Sequence, residues 1–247
     1  HFFVPSRFLR DRLVAWGLPA ERTSVIENGL PLDGMGLDVD APEPDRRTRN
    51  RFGYFGQVNR YKGLDVLLAG AKRALDDGHT DFVIEVNGAY LERQEPDLQK
   101  KIARLRVPLE DAGVLDWVGP YELWELGARM RSVDWVLVPS IWWENSPVVI
   151  QEAFAYRRPV VCSGIGGMAE KVRDDIDGVH VPVGDERAWA DTIGRLAGAN
   201  EEWIRLRANI ARPIDGTECA ARHLAVIARL ARGLQGEERR VPVRATG

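Results

Sequence analysis

The chain has 247 residues, 45% of them apolar, which is enough for one large domain or one and a half with a proper buried core. Its formal charge of -3 comes from acids interleaved with arginines, which excludes the concentrated basic face that nucleic acid requires. Cys162 and Cys219 lie far apart, and His1, His79, His180 and His223 show no ligand spacing, so neither a disulfide framework nor a protein-held metal is expected.

The chain opens in mid-pattern at His1, with "HFFVPS" as a short strand and "RFLRDRLVAWG" as an amphipathic helix closed by Gly17, so a preceding segment is expected to have been removed. "SVIENG" is a second short apolar run. Residues 31–50 are rich in Gly, Pro and Asp without a sustained period and read as a linker. From Arg51 to about residue 198, "RFGYFGQ", "DFVIEVNG", "LDWVG", "DWVLVPS", "PVVCSG" and "GVHVPVGD" are short apolar runs, each followed by a helical pattern. Strands apolar on both faces and alternating with helices predict an α/β domain, a doubly wound and mostly parallel Rossmann-like sheet that binds its ligand beyond the carboxyl ends of its strands. Residues 199–234 read as two helices separated at Pro213, and residues 235–247 as a flexible tail. No apolar run is long enough to span a bilayer and no signal peptide precedes the chain, so a cytoplasmic setting, extending to the inner face of a membrane, is expected.

Two of the loops after strands carry chemistry. In "PSIWWENSPVVIQEA" the helix is predicted to start with Ser146 as its cap and Pro147 as its first residue, leaving the amides of Val148 and Val149 at a positive helix end that suits an anion. Glu152 lies one turn below Val148 on the same face, and Glu144, followed by Asn145, sits in the loop before the cap. A carboxylate accepts from two hydroxyls at once, so a phosphate flanked by these acids describes a sugar nucleotide; two solvated acids at a helix entrance are the plainer reading. The other loop, "FGQVNRYKG", has Gly56 for close backbone approach and Lys62 at a helix start, where it can hold a diphosphate. Asn59 and Tyr61 read as loop surface.

These residues resemble the family 4 retaining glycosyltransferases of the GT-B fold. That family has Glu, seven residues, Glu and Ala, and this chain has "ENSPVVIQEA"; "PS", "RRPVVCSG" and "GGMAE" fall at matching intervals, and "VPSRFLRDRLVAWGLPAERTSVIENGL" resembles its interdomain region. The resemblance implies that residues 1–30 are the end of an acceptor domain and 51–198 the donor domain of the C-terminal half, with 199–234 returning toward the first. It implies transfer of a sugar from a nucleoside diphosphate sugar to a saccharide, lipid-linked or small-molecule hydroxyl, without a metal or further cofactor. Lys62, the amides of Val148 and Val149, and Arg60 or Gln57 would take the phosphates; Gln57 stands where the family commonly has arginine. Glu144 would orient the sugar and Glu152 the ribose, with the base near Val118 to Tyr121 and with Gly166 and Gly167 lining the pocket. The acceptor domain is nearly absent, so the chain is expected to bind donor and to transfer poorly.

Two alternatives stand beside this. One is a non-catalytic nucleotide-sugar module that needs a partner chain. The other is an NAD-binding domain, since Gly164, Gly166 and Ala169 match G-x-G-x-x-A after a strand, with Asp185 about twenty residues on, although here the match follows the fifth strand and not the first. Glu170 reads as a helix-start acid, Trp117, Trp135 and Trp189 as packing, and one of Trp142 and Trp143 as core with the other at the pocket rim.

Overall fold

The computed structural model describes residues 1–31 and 48–238. Most of the stretch read as a linker and most of that read as a tail lie outside these residues. In chain order come β1 (Phe2–Val4), α1 (Arg7–Ala15), β2 (Thr23–Val25), β3 (Arg51–Gln57), α2 (Leu64–Asp76), β4 (Val83–Ala89), α3 (Pro96–Asp111), β5 (Leu115–Asp116), α4 (Leu126–Ser132), β6 (Trp135–Val138), α5 (Val148–Ala155), β7 (Val160–Ser163), α6 (Gly166–Lys171), β8 (Gly178–Val181), α7 (Glu186–Leu196), α8 (Asn200–Ala208) and α9 (Gly216–Glu238).

Strands β3 to β8 form one parallel sheet in the order β5-β4-β3-β6-β7-β8. Every residue of β6 is buried, because successive side chains enter opposite layers. Trp135 and Leu137 join Phe52, Leu67, Ile84, Ile102, Trp189 and Trp203 on one face, while Val136 and Val138 join Phe55, Met130, Ile150, Cys162 and Met168 on the other. Strand order reverses between β3 and β6. The helices that follow those two strands, α2 and α5, pack on opposite faces of the sheet, and in such a sheet the crevice for a ligand lies above the carboxyl ends where the order reverses.

The first thirty residues stand against this body. β1 and β2 pair in parallel, and Ser6 caps α1 by accepting from the Leu9 amide at 3.1 Å. The Glu170 carboxylate on α6 accepts from the amides of Arg7 (2.9 Å) and Phe8 (2.6 Å), so it serves the start of α1 and not that of its own helix, as the sequence had suggested. From the other side, the Leu30 amide donates to the Ile214 carbonyl and the Gly216 amide to the Leu30 carbonyl, which ties the start of α9 to the same segment.

Three local expectations are corrected. α5 begins at Val148, with Pro147 at the cap and the Ser146 hydroxyl buried without a hydrogen bond. Neither Trp142 nor Trp143 is core: they are 55% and 37% exposed, stacked on one another, and Trp143 is covered from α1 by Phe8 and by the Arg12 guanidinium 4.1 Å from its ring. α9 continues through Glu238, four residues into the stretch read as a tail. Among the described residues no helix is long and apolar enough to cross a membrane.

Candidate functional site

The loop after β3 is shaped by its own side chains. The Asn59 side-chain Oδ1 accepts from the amides of Tyr61 (2.9 Å) and Lys62 (3.2 Å), a turn that throws the lysine toward the crevice. Gly63 follows at φ 66° and caps α2, and a Cβ there would collide with the Pro139 carbonyl of the loop after β6. The Ile141 amide also donates to the Tyr61 carbonyl at 2.9 Å. The two loops are therefore stitched backbone to backbone across the point where strand order reverses.

This stitching brings Lys62 to Glu144. The ammonium lies 2.7 Å from Oε1, and the buried Ser140 hydroxyl donates to the same oxygen at 2.9 Å. Among the described residues nothing donates to Oε2, and the two side chains keep 34% and 18% of their surface in solvent. Beneath them lies Tyr54, whose hydroxyl donates to the Gln57 carbonyl and is pushed up by burial and then by the charge of Glu144.

The wall opposite is made by α5 and α6. The Ile150 amide already bonds the Pro147 carbonyl at 3.2 Å, which leaves Val148 and Val149 as the first-turn amides. Glu152 is one turn below them, and burial pushes its carboxyl up to about 7. Tyr121, edge-on to Phe55 at 6.0 Å, is pushed up to about 12, by burial first and then by Glu152. Gly166 sits at φ 60°, and the Gly167 amide donates to the Glu144 carbonyl at 2.6 Å. A Cβ on Gly167 would collide with the carbonyls of Glu144 and Asn145. The second glycine of the G-x-G-x-x-A match thus begins a turn that supports Glu144, and the match follows β7, the fifth strand of the sheet in chain order.

Gln57, Arg60, Asn145 and Val118 are all exposed. Arg60 holds its guanidinium 5.8 Å from the Tyr61 ring. The amides of Val118 and Gly119 both donate to the Val86 carbonyl at 3.1 Å, so that stretch is fixed through its backbone. Ser140, Asn59 and Gly63 were missed as site residues. The Asn three positions before a Lys-Gly helix entrance carries a readable turn signal, whereas Ser140 gains its role only when Glu144 folds back over it.

Cavities lie beside this region. One of about 300 Å³ lies beyond the end of β4, between Gly88, Tyr90, Leu91, Trp117 and Pro120. Another, of about 470 Å³, lies on the far face of α5 against the first thirty residues, where Arg7, Lys171, Arg173, Arg212 and Arg222 each already face a carboxylate.

A family model described as glycosyl transferases group 1 matches residues 49–198. A D-inositol 3-phosphate glycosyltransferase of Xylanimonas cellulosilytica is 30% identical over 234 residues, covering 88% of this chain and 54% of the relative. One of Paenarthrobacter aurescens is 30% identical over 237 residues, covering 85% and 55%. The chain thus spans about half the length of the curated relatives it matches. Among solved structures, a glycosyltransferase of Rickettsia africae superposes with a TM-score of 0.74 at 18% identity, covering 91% of this chain and 62% of that one. Anabaena HepE, solved with UDP and glucose, gives 0.70 at 17% identity, covering 92% and 62%. At these identities the likeness is one of fold, the α/β architecture of GT-B glycosyltransferases. The family model, running from just before β3 to just past α7, spans both loops of the crevice, and the chain belongs to the group 1 glycosyl transferases.

Proposed function

We propose that this chain carries the donor site of a retaining glycosyltransferase that moves a sugar from a nucleoside diphosphate sugar to a hydroxyl acceptor. The observation that carries the reading is the Lys62–Glu144 pair across the strand-order reversal, facing the first amides of α5 with Glu152 one turn behind. An ammonium and a positive helix end that face one another, each with a carboxyl group beside it, suit a diphosphate joined to two hydroxyl-rich rings.

In this reading Lys62 and the amides of Val148 and Val149 meet the charge on the departing diphosphate. The open oxygen of Glu144 accepts from a hydroxyl of the transferred sugar, and Glu152, when ionised, accepts from the ribose. The bond from the sugar's anomeric carbon to the diphosphate breaks and the bond to the acceptor oxygen forms on the same face. The acceptor's proton passes to the leaving phosphate, so no side chain is assigned as base. The charge is answered by protein groups, and we assign no metal. The acceptor is held by structure outside the donor domain of residues 51–198. The UDP of the HepE structure and the inositol 3-phosphate in the relatives' names give the first donor nucleotide and acceptor class to try.

Calorimetric titration of UDP, GDP, ADP and NAD into the chain tests the reading. The expected result is binding of at least one nucleoside diphosphate, with a loss of tenfold or more in Glu152→Ala. Binding of NAD alone, or equal binding by the variant, would overturn it.

A further inference from the structure

Arg129, on α4, lies outside the crevice and is absent from every role given above. Its side chain is 18% exposed and spends its donors on four acceptors. Nη1 donates to the Asn87 side-chain oxygen at 3.0 Å and to the Gly119 carbonyl at 3.2 Å. Nη2 donates to the Pro120 carbonyl at 3.0 Å and to Glu125 Oε1 at 3.0 Å. The guanidinium also lies 5.5 Å from the Tyr121 ring. Its partners are held in turn. Asn87 is fully buried in β4, with its amide nitrogen left without a partner so that its oxygen can face the arginine. Glu125 is fixed by the Glu122 amide at 2.8 Å.

The guanidinium therefore bolts three consecutive residues, Gly119 to Tyr121, to the sheet. Gly119 is at φ 87°, and with its neighbour it already shares the Val86 carbonyl. Pro120 lines the 300 Å³ cavity beyond β4, whose walls include Trp117 and Tyr90, the latter held at φ 71°, a conformation that an aromatic residue adopts only under constraint. The other end of the bolted stretch, Tyr121, senses the charge of Glu152. Pro120 thus borders a cavity with two aromatic side chains in its wall, and Tyr121 lies within reach of the charge on the carboxylate assigned to the ribose.

Resting on the donor-site reading, we infer that Arg129 is the positioning residue that sets base selectivity: it holds Gly119 to Tyr121 so that the nucleobase enters the cavity beside Trp117 while the ribose reaches Glu152. Arg129 touches neither group. Its effect falls on the nucleoside part of the donor, because Lys62 and the α5 amides hold the phosphates independently of this loop. A planar fork that spans two carbonyls and an amide oxygen has no equivalent in lysine.

The experiment is titration of UDP, GDP and ADP into the parent chain, Arg129→Met and Arg129→Lys, with thermal unfolding of each. The parent is expected to prefer one base by tenfold or more, and Arg129→Met to flatten that preference to about threefold while retaining weak binding of all three. Arg129→Lys, which keeps the charge beside Glu125 and so is the gentler variant for folding, is expected to flatten it as well. A variant that weakens all three nucleotides by the same factor, or keeps the parent's preference, would show a structural role only and overturn the inference. A parent that binds all three equally would overturn it while leaving the donor site standing, and a parent that binds none would overturn both.

Discussion

Lys62 meets Glu144 above the ends of β3 and β6, and Lys171 meets Glu27 where α6 abuts the segment after β2. The two pairs have the same chemistry and opposite settings. Lys62 is 34% exposed, and its partner has an open oxygen; Lys171 is 8% exposed, and burial pushes its ammonium down to about 8. Beside the second pair, Glu170 collects the amides of Arg7 and Phe8, and Gln151 donates to the Asn28 carbonyl at 2.6 Å. Each of these contacts runs from the α5–α6 body to the first thirty residues, and at the second pair it is the lysine that is shut away from solvent. A hydrated pair exchanges one partner for a phosphate at little cost, whereas a buried lysine that loses its carboxylate is left charged in a poor solvent. What separates a site from a seam here is therefore the water left around the lysine.

The backbone of each region offers the strongest way to break this comparison. Gly63→Ala places a Cβ against the Pro139 carbonyl at a left-handed φ, and both effects act together, so a loss of about 3 kcal/mol is expected in denaturant unfolding, with nucleotide binding lost as the loops part. Gly29→Ala places a Cβ against the Asp215 carbonyl and Cys219. It should lower stability while leaving the nucleotide dissociation constant within about twofold of the parent. Equal effects of the two on binding would show that seam and crevice are one unit.

Lys171→Met removes the charge at the seam and leaves Glu27, 37% exposed, without its partner. Because that carboxylate can turn to water, the expected loss is about 2 kcal/mol, below that of a fully buried pair. Nucleotide affinity should not change. A variant with parental stability but weakened binding would reverse the roles assigned to the two pairs.

Much of the sheet was legible because its strands are apolar on both faces and end in Gly, Ser or Asp, a pattern that only a doubly covered parallel sheet satisfies. The crevice was legible in its parts: Lys62 at a helix entrance, and Glu152 one turn below Val148. Their assembly was not, since Lys62 and Glu144 are 82 residues apart and meet only because β3 and β6 are neighbours in the sheet. The Ser-Pro helix entrance misled for a related reason. The Gly167 amide draws the Glu144 carbonyl toward α6, so the turn at Ser146 is set by that contact and not by a local cap. The setting of Trp143 likewise depends on Phe8 and Arg12, more than 130 positions earlier in the chain.

Proton release from Glu152 gives the crevice a signature of its own. With its carboxyl at about 7 against an ordinary value near 4.5, Glu152 holds a proton in the folded chain that the unfolded chain has already lost. Its contribution to stability therefore falls as pH rises from about 4.5 to about 7 and is level above that. Ribose hydroxyls that donate to it require the ionised form, so the affinity for a nucleoside diphosphate should rise about tenfold from pH 6 to pH 8. Glu152→Gln should retain only the dependence that belongs to the ligand's own phosphate. Identical slopes for parent and variant in calorimetry would remove Glu152 from the ribose.

Glu144→Gln is the smallest effect and the sharpest, because its sign is opposite for two ligands. Glu144 occupies the ammonium that a diphosphate must claim, and the neutral amide keeps the Ser140 contact through its oxygen while competing less for Lys62. A nucleoside diphosphate without sugar should therefore bind about threefold more tightly to the variant, a gain of roughly 0.6 kcal/mol, as fits a partly hydrated pair. The nucleoside diphosphate sugar should gain less or lose affinity, since the charge that its sugar hydroxyls met at Oε2 is gone. The ratio of the two dissociation constants, measured on one preparation, cancels any general loosening of the loop. A fall in affinity for both ligands would mean that Glu144 holds Lys62 in place for the phosphates instead of competing with them, and the hydrated pair would then be as structural as the one at the seam.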